Sequence, residues 1–183
     1  ALAAGGYTGS GNSSNVELWN GTSWSETTNI ASARNGLAAA GTTSLGLIAG
    51  GQPSGSTEEW VGAGVPVGAW SSTGSLNTGR QSLAGSGNAG APAGLAFGGS
   101  GNKTETESYN GSSWTELNNL NTGRNALGGS GTQTSTLAYA GYQSPPNANT
   151  AVVESWNGSS WTETTDVNSA RRAFGSAGAD NTS

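Results

Sequence analysis

The stretch Glu107-Ser-Tyr-Asn-Gly-Ser-Ser-Trp114-Thr-Glu116 decides the fold, because the chain contains four copies of this pattern. An Asn-Gly pair between two arms rich in aromatic residues, serine and threonine predicts a β-hairpin, since a type I′ turn needs a positive φ at both of its central residues. The other copies are Glu17-Leu-Trp-Asn-Gly-Thr-Ser-Trp24, the altered Glu59-Trp-Val-Gly-Ala-Gly-Val-Pro-Val-Gly-Ala-Trp70, and Glu154-Ser-Trp-Asn-Gly-Ser-Ser-Trp161. Hairpins at regular intervals indicate a repeat protein.

The spacing of the hairpins gives the length of the repeat. Successive members of the series Trp24, Trp70, Trp114 and Trp161 are 46, 44 and 47 residues apart, and the same separations occur in the series Arg34, Arg80, Arg124 and Arg171. Counting on from Trp161 to the last residue and then from Ala1 to Trp24 covers a further 46 residues, so the two ends are in register. The 183 residues therefore contain four repeats, cut within one of them.

Each repeat divides into four short strand candidates with turn signals between them, and no window shows the 3.6-residue periodicity of a helix. One candidate in each repeat is dominated by Gly, Ala and Ser; these candidates are residues 37–41, 83–87, 127–131 and 174–178. Small residues suit a position at which several backbones converge. Four strands in about 45 residues is the strand count of one β-propeller blade.

The order of these motifs resembles the kelch repeat over the whole chain. A small-residue strand precedes a strand that ends in Gly-Gly or Ala-Gly, then an aromatic strand, a turn, a Trp and an Arg ten residues later. The resemblance implies an all-β fold, a β-propeller of four kelch-like four-stranded blades, in which the N- and C-terminal strands share one blade and close the ring. The single expected domain, 1–183, would then comprise blade 1 (1–28 with 172–183), blade 2 (35–73), blade 3 (81–117) and blade 4 (125–164). Strings such as Trp-Asn-Gly-Ser-Ser-Trp-Thr-Glu are also similar to kelch-like arrays in large structural proteins of marine bacteriophages.

Opposite charges recur at fixed positions of the repeat. One glutamate precedes the first aromatic residue of each hairpin and one arginine follows the hairpin; the glutamates are Glu17, Glu59, Glu107 and Glu154, and the arginines are Arg34, Arg80, Arg124 and Arg171. Equal numbers at a constant spacing predict a repeated structural ion pair, in which the arginine binds a carboxylate or loop carbonyl groups. The alternative is an arginine cluster that binds a carboxylate or sulfate, as in sialidases, but equivalent arginines spread around a ring lack the asymmetry of such a site.

The composition excludes most catalytic chemistry. The sequence has no His and no Cys, so imidazole bases, thiol nucleophiles and the usual zinc and copper ligands are absent. The copper chemistry of kelch oxidases therefore cannot carry over, and we expect no enzymatic activity and no cofactor; calcium on scattered oxygen ligands stays open. A net charge of −5 with six basic residues argues against nucleic acid, and no apolar run approaches the ~20 residues of a membrane span.

A binding site is expected where the repeats are irregular, because insertions in repeat proteins map to loops. By the kelch resemblance, two irregular loops at 7–15 and 143–151 share one face, and a third at 61–69 projects from the other. The candidate binding residues on the shared face are Tyr7, Tyr142, Gln143, Ser144, Pro145, Pro146 and Asn147. Drift in solvent-exposed loops is the alternative explanation for the irregularity.

Two functional hypotheses follow. The chain is either an interaction module that binds a glycan or a protein at a virion or extracellular surface, or a purely structural or decorative repeat unit of a larger phage protein with no ligand of its own. The sequence leaves open whether the four repeats close on themselves or belong to a larger ring or array.

Overall fold

The computed structural model describes residues 1–62, 68–87, 93–176 and 178–181. Within these ranges every element of regular secondary structure is a β-strand. In chain order they are β1 (Leu2–Ala4), β2 (Val16–Trp19), β3 (Trp24–Glu26), β4 (Ala38–Gly41), β5 (Leu45–Ala49), β6 (Thr57–Val61), β7 (Ala69–Thr73), β8 (Ala84–Ser86), β9 (Gly94–Phe97), β10 (Thr106–Tyr109), β11 (Trp114–Glu116), β12 (Gly128–Gly131), β13 (Thr136–Gln143), β14 (Ala148–Trp156) and β15 (Trp161–Thr164). The predicted all-β architecture is confirmed.

The strands form four antiparallel sheets in which neighbours in the chain are also neighbours in space. Sheet 1 contains β1 to β3, sheet 2 contains β4 to β7, sheet 3 contains β8 to β11, and sheet 4 contains β12 to β15. The strands of sheets 2, 3 and 4 fall within residues 35–73, 81–117 and 125–164. Each sheet therefore corresponds to one repeat of the sequence.

The repeated hairpin joins the last two strands of each sheet, and its turn differs from the predicted type. Tyr109 pairs with Trp114 across the third hairpin, so the turn holds four residues, 110–113, and not two. The Asn110 side chain accepts hydrogen bonds from the backbone N–H groups two and three residues later, both at 3.0 Å. Of the Asn-Gly pair only Gly111 takes a positive φ, 101°, so the type I′ assignment is wrong although the hairpin itself is confirmed. An asparagine that bonds its own turn explains why this residue recurs.

The small-residue strands β4, β8 and β12 lie side by side at the centre of the arrangement. Backbone hydrogen bonds connect the segments just before them: Ser82 N–H donates to Gly36 O and Ala126 N–H donates to Ser82 O, both at 2.8 Å. A Cβ atom added to Gly129 would lie 3.0 Å from Gly85 O, so a larger side chain does not fit there. Three of the four sheets extend from these converging inner strands, and the four sheets together form the predicted four-bladed propeller arrangement, which is confirmed.

The pairing predicted between the two ends of the chain is not formed among the described residues. Sheet 1 has three strands, and within the described ranges no backbone hydrogen bond joins β1 to the tail, by which we mean residues 171–176 and 178–181. The tail continues beyond β12 around the axis: Ala173 N–H donates to Ala126 O at 2.9 Å, and the Ser176 hydroxyl donates to Gly129 O at 3.0 Å. In this part of the chain sheet 1 therefore lacks the inner strand expected from 172–183, and β1 keeps a free edge.

Tryptophan rings fill the spaces between the sheets. Trp114 is 6% exposed, and its Nε1 donates to the Thr57 hydroxyl of sheet 2 at 2.9 Å. Trp161 makes the equivalent bond to Thr106 of sheet 3 at 3.0 Å. Trp24 of sheet 1 has no such threonine partner among the described residues and is 49% exposed. The burial of each of these rings therefore depends on the neighbouring sheet.

The Trp70 indole departs from this pattern. The position that Thr57 and Thr106 occupy in their sheets is taken by Val16 in sheet 1, and Trp70 packs against the apolar cluster that contains Val16. The Trp70 Nε1 is buried and has no hydrogen-bond partner among the described residues. A buried donor without an acceptor costs ~1–3 kcal/mol.

We expect Trp114→Ala to lower the free energy of unfolding by ~3–5 kcal/mol, because it opens a cavity between two sheets. Trp24→Ala is the matched control at the same repeat position, and in dilute solution it should cost no more than ~1 kcal/mol. Urea denaturation followed by circular dichroism measures both changes. A loss below ~1 kcal/mol for Trp114→Ala would place that ring on the surface.

Val16→Thr should supply the acceptor that the Trp70 indole lacks, and we expect it to raise the free energy of unfolding by ~1 kcal/mol. The reciprocal variant Thr57→Val removes the acceptor of Trp114 and should lower the free energy of unfolding by ~1–3 kcal/mol. Valine and threonine have nearly the same shape, so packing changes little in either variant. Changes of the same sign in the two variants would contradict a role for this hydrogen bond.

Candidate binding face

Three buried ion pairs hold the linkers between the sheets. In each, an arginine of the linker that precedes a sheet pairs with a glutamate of the third strand of that sheet: Arg34 with Glu58 at 2.9 Å, Arg124 with Glu154 at 2.6 Å, and Arg80 with Glu107. All of these side chains are at most 2% exposed. Pairs this deeply buried are stable only when further hydrogen bonds satisfy the two charged groups.

In sheet 4 the linker and strand β13 provide such hydrogen bonds, although the Arg124 Nε is buried without a partner among the described residues. Glu154 accepts from the backbone N–H of Asn121 at 2.7 Å, and Arg124 donates to the Ala138 carbonyl at 3.0 Å. Asn121 also donates through Nδ2 to the Trp161 carbonyl at 3.1 Å. The guanidinium group is thus held inside one sheet and its linker, in a separate pair from the other arginines. The arrangement is that of a structural ion pair, and the arginine-cluster alternative has no support among these three arginines.

The pair in sheet 2 uses Glu58, so the assignment of this role to Glu59 is wrong. Adjacent residues of a strand point to opposite faces, and only Glu58 shares a face with Arg34. Glu58 lies two residues before Trp60, just as its counterparts lie two residues before the first aromatic residue of their hairpins. This spacing in the sequence indicates Glu58, and not Glu59, as the member of the series. Burial lowers the pKa of the Arg34 guanidinium, and the Glu58 carboxylate offsets part of this shift.

Glu59 faces sheet 3 instead. Its Oε1 is buried without a hydrogen-bond partner among the described residues. Burial raises the pKa of the Tyr109 hydroxyl in sheet 3, the Glu59 carboxylate adds to this shift, and a hydrogen bond with Thr73 opposes it. Glu59 is therefore a neighbour of Tyr109 and not a member of the ion-pair series.

The remaining predicted members of the series, Glu17 and Arg171, stand at the two ends of the chain. Both side chains are exposed, and neither forms an ion pair within the described ranges. The Arg171 Nε donates to the Ser169 carbonyl at 3.2 Å. Of the four predicted ion pairs, three are therefore formed and buried, and Glu17 and Arg171 do not form a fourth among the described residues.

The predicted binding residues lie where the second strand of each sheet ends. There a Gly-Gly or Ala-Gly pair precedes Tyr7, Gln52, Ser100 and Tyr142 in sheets 1 to 4. The second glycine of each pair donates its N–H to the carbonyl of the following linker arginine, as Gly6 does to Arg34 at 2.9 Å. The four residues are therefore equivalent, and we call the surface formed by the loops that follow, 5–15, 50–56, 98–105 and 144–147, the loop face.

The two predicted tyrosines form no ring contact with each other among the described residues. Tyr7 in sheet 1 is 65% exposed. Tyr142 in sheet 4 is half-buried, and the guanidinium carbon of Arg172 lies 4.3 Å from the centre of its ring. The tyrosines occupy equivalent positions in the first and last sheets, so they mark the two ends of the loop face.

The other predicted binding residues lie on one projecting hairpin. Strands β13 and β14 contain eight and nine residues, and their outer pairs are Gly141 with Thr150, Tyr142 with Asn149, and Gln143 with Ala148. The tip is exposed and consists of Ser144, Pro145, Pro146 and Asn147. The insertion seen in the sequence is therefore an extension of the sheet, which holds the tip in a fixed position.

Asparagine side chains connect neighbouring loops, which the sequence analysis did not predict. Asn102 of sheet 3 accepts from the Ser144 N–H at 3.0 Å and donates to the Ser144 carbonyl. Asn12 of sheet 1 donates to the Gln52 carbonyl of sheet 2 at 3.1 Å. The sequence pattern that marks both asparagines is a Gly-Asn dipeptide, which occurs at 11–12 and again at 101–102.

The third irregular loop, 61–69, leaves sheet 2 on the opposite side, and its residues 63–67 lie outside the described ranges. Within those ranges, no group of three or more Asp or Glu side chains is placed to hold a metal ion. The described residues also contain no helix that could cross a membrane.

Comparison with known proteins supports the fold. No protein-family model and no curated protein matches the sequence. Among solved structures, the chain is similar to YjhT, a kelch-like propeller, with a TM-score of 0.65 and 13% sequence identity. The match covers 84% of this chain and 53% of the YjhT chain, so this chain spans about half the length of that protein. At this identity the similarity shows the fold alone.

We expect Arg124→Ala to lower the free energy of unfolding by ~3–5 kcal/mol, because it leaves the buried Glu154 carboxylate without its partner. Lys103→Ala is the control, since it removes the partially exposed ion pair between Lys103 and Glu105 and should cost at most ~1 kcal/mol. Chemical denaturation of the two variants measures the difference. Equal losses would show that burial does not distinguish the two pairs.

Proposed function

We propose that this chain is a non-enzymatic interaction module that binds a protein or a glycan through the loop face. The observation that carries the proposal is the row of loops at the end of the second strand of each sheet, which is exposed at 7–10 in sheet 1 and at the tip of the β13–β14 hairpin in sheet 4. Cross-loop hydrogen bonds from Asn12 and Asn102 hold parts of this row in place before a partner arrives. A preorganised surface binds with a smaller entropy cost.

The chemistry of the loop face suits a polar partner without strong charge. In the four loops the charged residues are Lys103 and Glu105, which lie 2.9 Å apart and neutralise each other. The remaining residues are mainly Gly, Ser, Asn, Thr and Pro. Tyr7 offers a large aromatic surface with few rotatable bonds, and the Ser and Asn side chains offer adaptable donors and acceptors. Carbohydrate hydroxyl groups and exposed peptide loops both fit such a surface.

The shape of the loop face points to surface recognition. A depression of about 230 Å³ between sheets 2 and 3 is lined by residues 51–55 and 79–81. Pockets for drug-sized ligands are usually larger, about 300–1,000 Å³. The depression suits one sugar unit or one side chain of a partner, with the rest of the contact spread over the loops.

The proposed setting is a virion or extracellular surface. The Asn-Gly-Ser-Ser-Trp strings resemble the kelch-like arrays of marine phage structural proteins, which supports a place in a larger assembly. The sequence contains no His or Cys to act as base or nucleophile, which supports binding over catalysis. The second candidate, a structural or decorative repeat unit without a ligand, is favoured by Glu17 and Arg171, which are exposed and form no ion pair within the described ranges.

The double variant Tyr7→Ala with Tyr142→Ala should weaken binding to a glycan array, or to proteins captured in a pull-down, at least tenfold, which is about 1.4 kcal/mol. Leu45→Ala is the control, since Leu45 is an exposed apolar residue at the opposite end of the second strand of sheet 2. Circular dichroism checks that both variants fold. Absence of any bound glycan or protein, with the chain at fixed stoichiometry in a particle, would favour the structural unit instead.

A further inference from the structure

Every complete sheet combines a linker and an inner strand with three further strands. In sheet 4 the linker supplies Asn121 and Arg124, and the further strands supply the Glu154 carboxylate and the Trp161 carbonyl that they bind. Sheet 3 repeats this set of contacts with its own residues. A sheet of this protein therefore has two parts: the first is the linker with its inner strand, and the second is the three further strands. The sheet is complete only when both parts are present.

The tail and the residues just before it supply the first part without the second. Asn168 and Arg171 stand in the sequence positions of Asn121 and Arg124, yet both are exposed. The segment after them lies beside sheet 4, in the place of an inner strand, although it is not itself a strand. The Phe174 ring centre lies 5.7 Å from that of Tyr139, and Asn181 Nδ2 donates to the Trp156 carbonyl at 2.9 Å.

The outer side of the tail is open. Gly175 and Ser176 are exposed, and no heavy atom beyond the neighbouring residues lies within 4 Å of the place where a Cβ of Gly175 would be. The equivalent Gly128 in sheet 4 has both Tyr139 and Phe174 within 4 Å of that place. Within the described ranges no backbone hydrogen bond involves residues 174–176, so the tail has a backbone edge that a further strand can pair with.

Sheet 1 has the second part without the first. Ala3 in the middle of β1 is exposed, whereas its counterparts Ile48, Ala96 and Ala138 are at most 2% exposed. A groove of about 340 Å³ separates β1 from β4, and it is lined mainly by apolar side chains, among them Leu2, Ala4, Leu37, Ile48 and Trp70. The groove lies where an inner strand of sheet 1 would lie, and Glu17, which forms no ion pair within the described ranges, belongs to the same sheet.

We propose that the tail of one copy of this chain binds in the groove of sheet 1 of a second copy and completes that sheet. The register of the internal sheets, with Ala84 opposite Phe97 and Gly128 opposite Tyr139, places Gly175 of one copy opposite Ala4 of the other. In the same alignment Arg171 of one copy pairs with Glu17 of the other. Strand addition to a free sheet edge supplies main-chain hydrogen bonds, and the ion pair fixes the register.

A second copy fits better than the chain's own tail. Within the described ranges no backbone hydrogen bond joins the tail to sheet 1, and both the groove of sheet 1 and the outer side of the tail are open. Two copies that each offer one groove and one tail meet at two identical junctions. Such a pair is a closed dimer with twofold symmetry and no unfinished sheet. This inference does not depend on a ligand of the loop face.

The test measures the mass of the whole chain in solution by light scattering over a range of concentrations. The unaltered chain should have the mass of two copies. Glu17→Arg alone and Arg171→Glu alone each place like charges at both junctions, so each variant should have the mass of one copy or a dissociation constant raised at least tenfold. Glu116→Arg, an equally exposed charge reversal on β11 of sheet 3, is the control and should leave the dimer unchanged.

Mixing the two variants separates this proposal from closure within one chain. A Glu17→Arg copy and an Arg171→Glu copy restore opposite charges at both junctions, so the mixture should regain the mass of two copies. The mass of one copy for the unaltered chain at every concentration would overturn the proposal, and so would a mixture that stays monomeric. A dimer that survives both single variants would also overturn it, because the copies would then meet elsewhere.

Discussion

The structure depends on a buried arginine–carboxylate pair that recurs at each complete sheet. Removing two charges from water is costly, and the cost is offset only if both groups find good hydrogen-bond geometry. Here Glu154 accepts from a backbone N–H group as well as from Arg124, and the arginine donates to a strand carbonyl. These requirements fix the conformation of the linker relative to the sheet that follows. The second glycine of the preceding sheet then bonds the arginine carbonyl, so one residue connects two sheets.

Side-chain size complements this constraint. Close to the axis the inner strands approach so closely that a Cβ on Gly85 would lie 3.0 Å from the Ala38 Cβ of β4, and a Cβ on Gly129 would lie 3.0 Å from the Gly85 O of β8. Farther out, Trp114 and Trp161 fill the space between sheets and bond a threonine of the preceding sheet. Each sheet is thus narrow at its inner strand and wide at its hairpin. A wedge of this form favours curvature of the whole array.

The sequence predicted those parts of the fold that local residues determine. The hairpins follow from Asn-Gly with flanking aromatics, and the inner strands follow from short runs of Gly, Ala and Ser. The choice between Glu58 and Glu59 was missed because the altered second repeat was aligned from its adjacent Glu-Trp and not from the two-residue spacing of the others. The contact of Asn102 with Ser144 joins residues 42 positions apart, and no local pattern specifies such a partner. The lack of pairing between β1 and the tail was missed for a related reason. The repeat register of the two termini does not specify the rotation from one sheet to the next, and this rotation decides whether the termini meet.

The arginine of each pair belongs to the linker and enters the protein together with the inner strand that follows it. A gene that gains or loses one whole repeat therefore gains or loses one glutamate and one arginine together, whichever position of the repeat the change starts from. Such a change leaves no buried charge alone, whereas an insertion of part of a period would. The number of blades is accordingly free to vary during evolution while the chemistry of every joint stays the same.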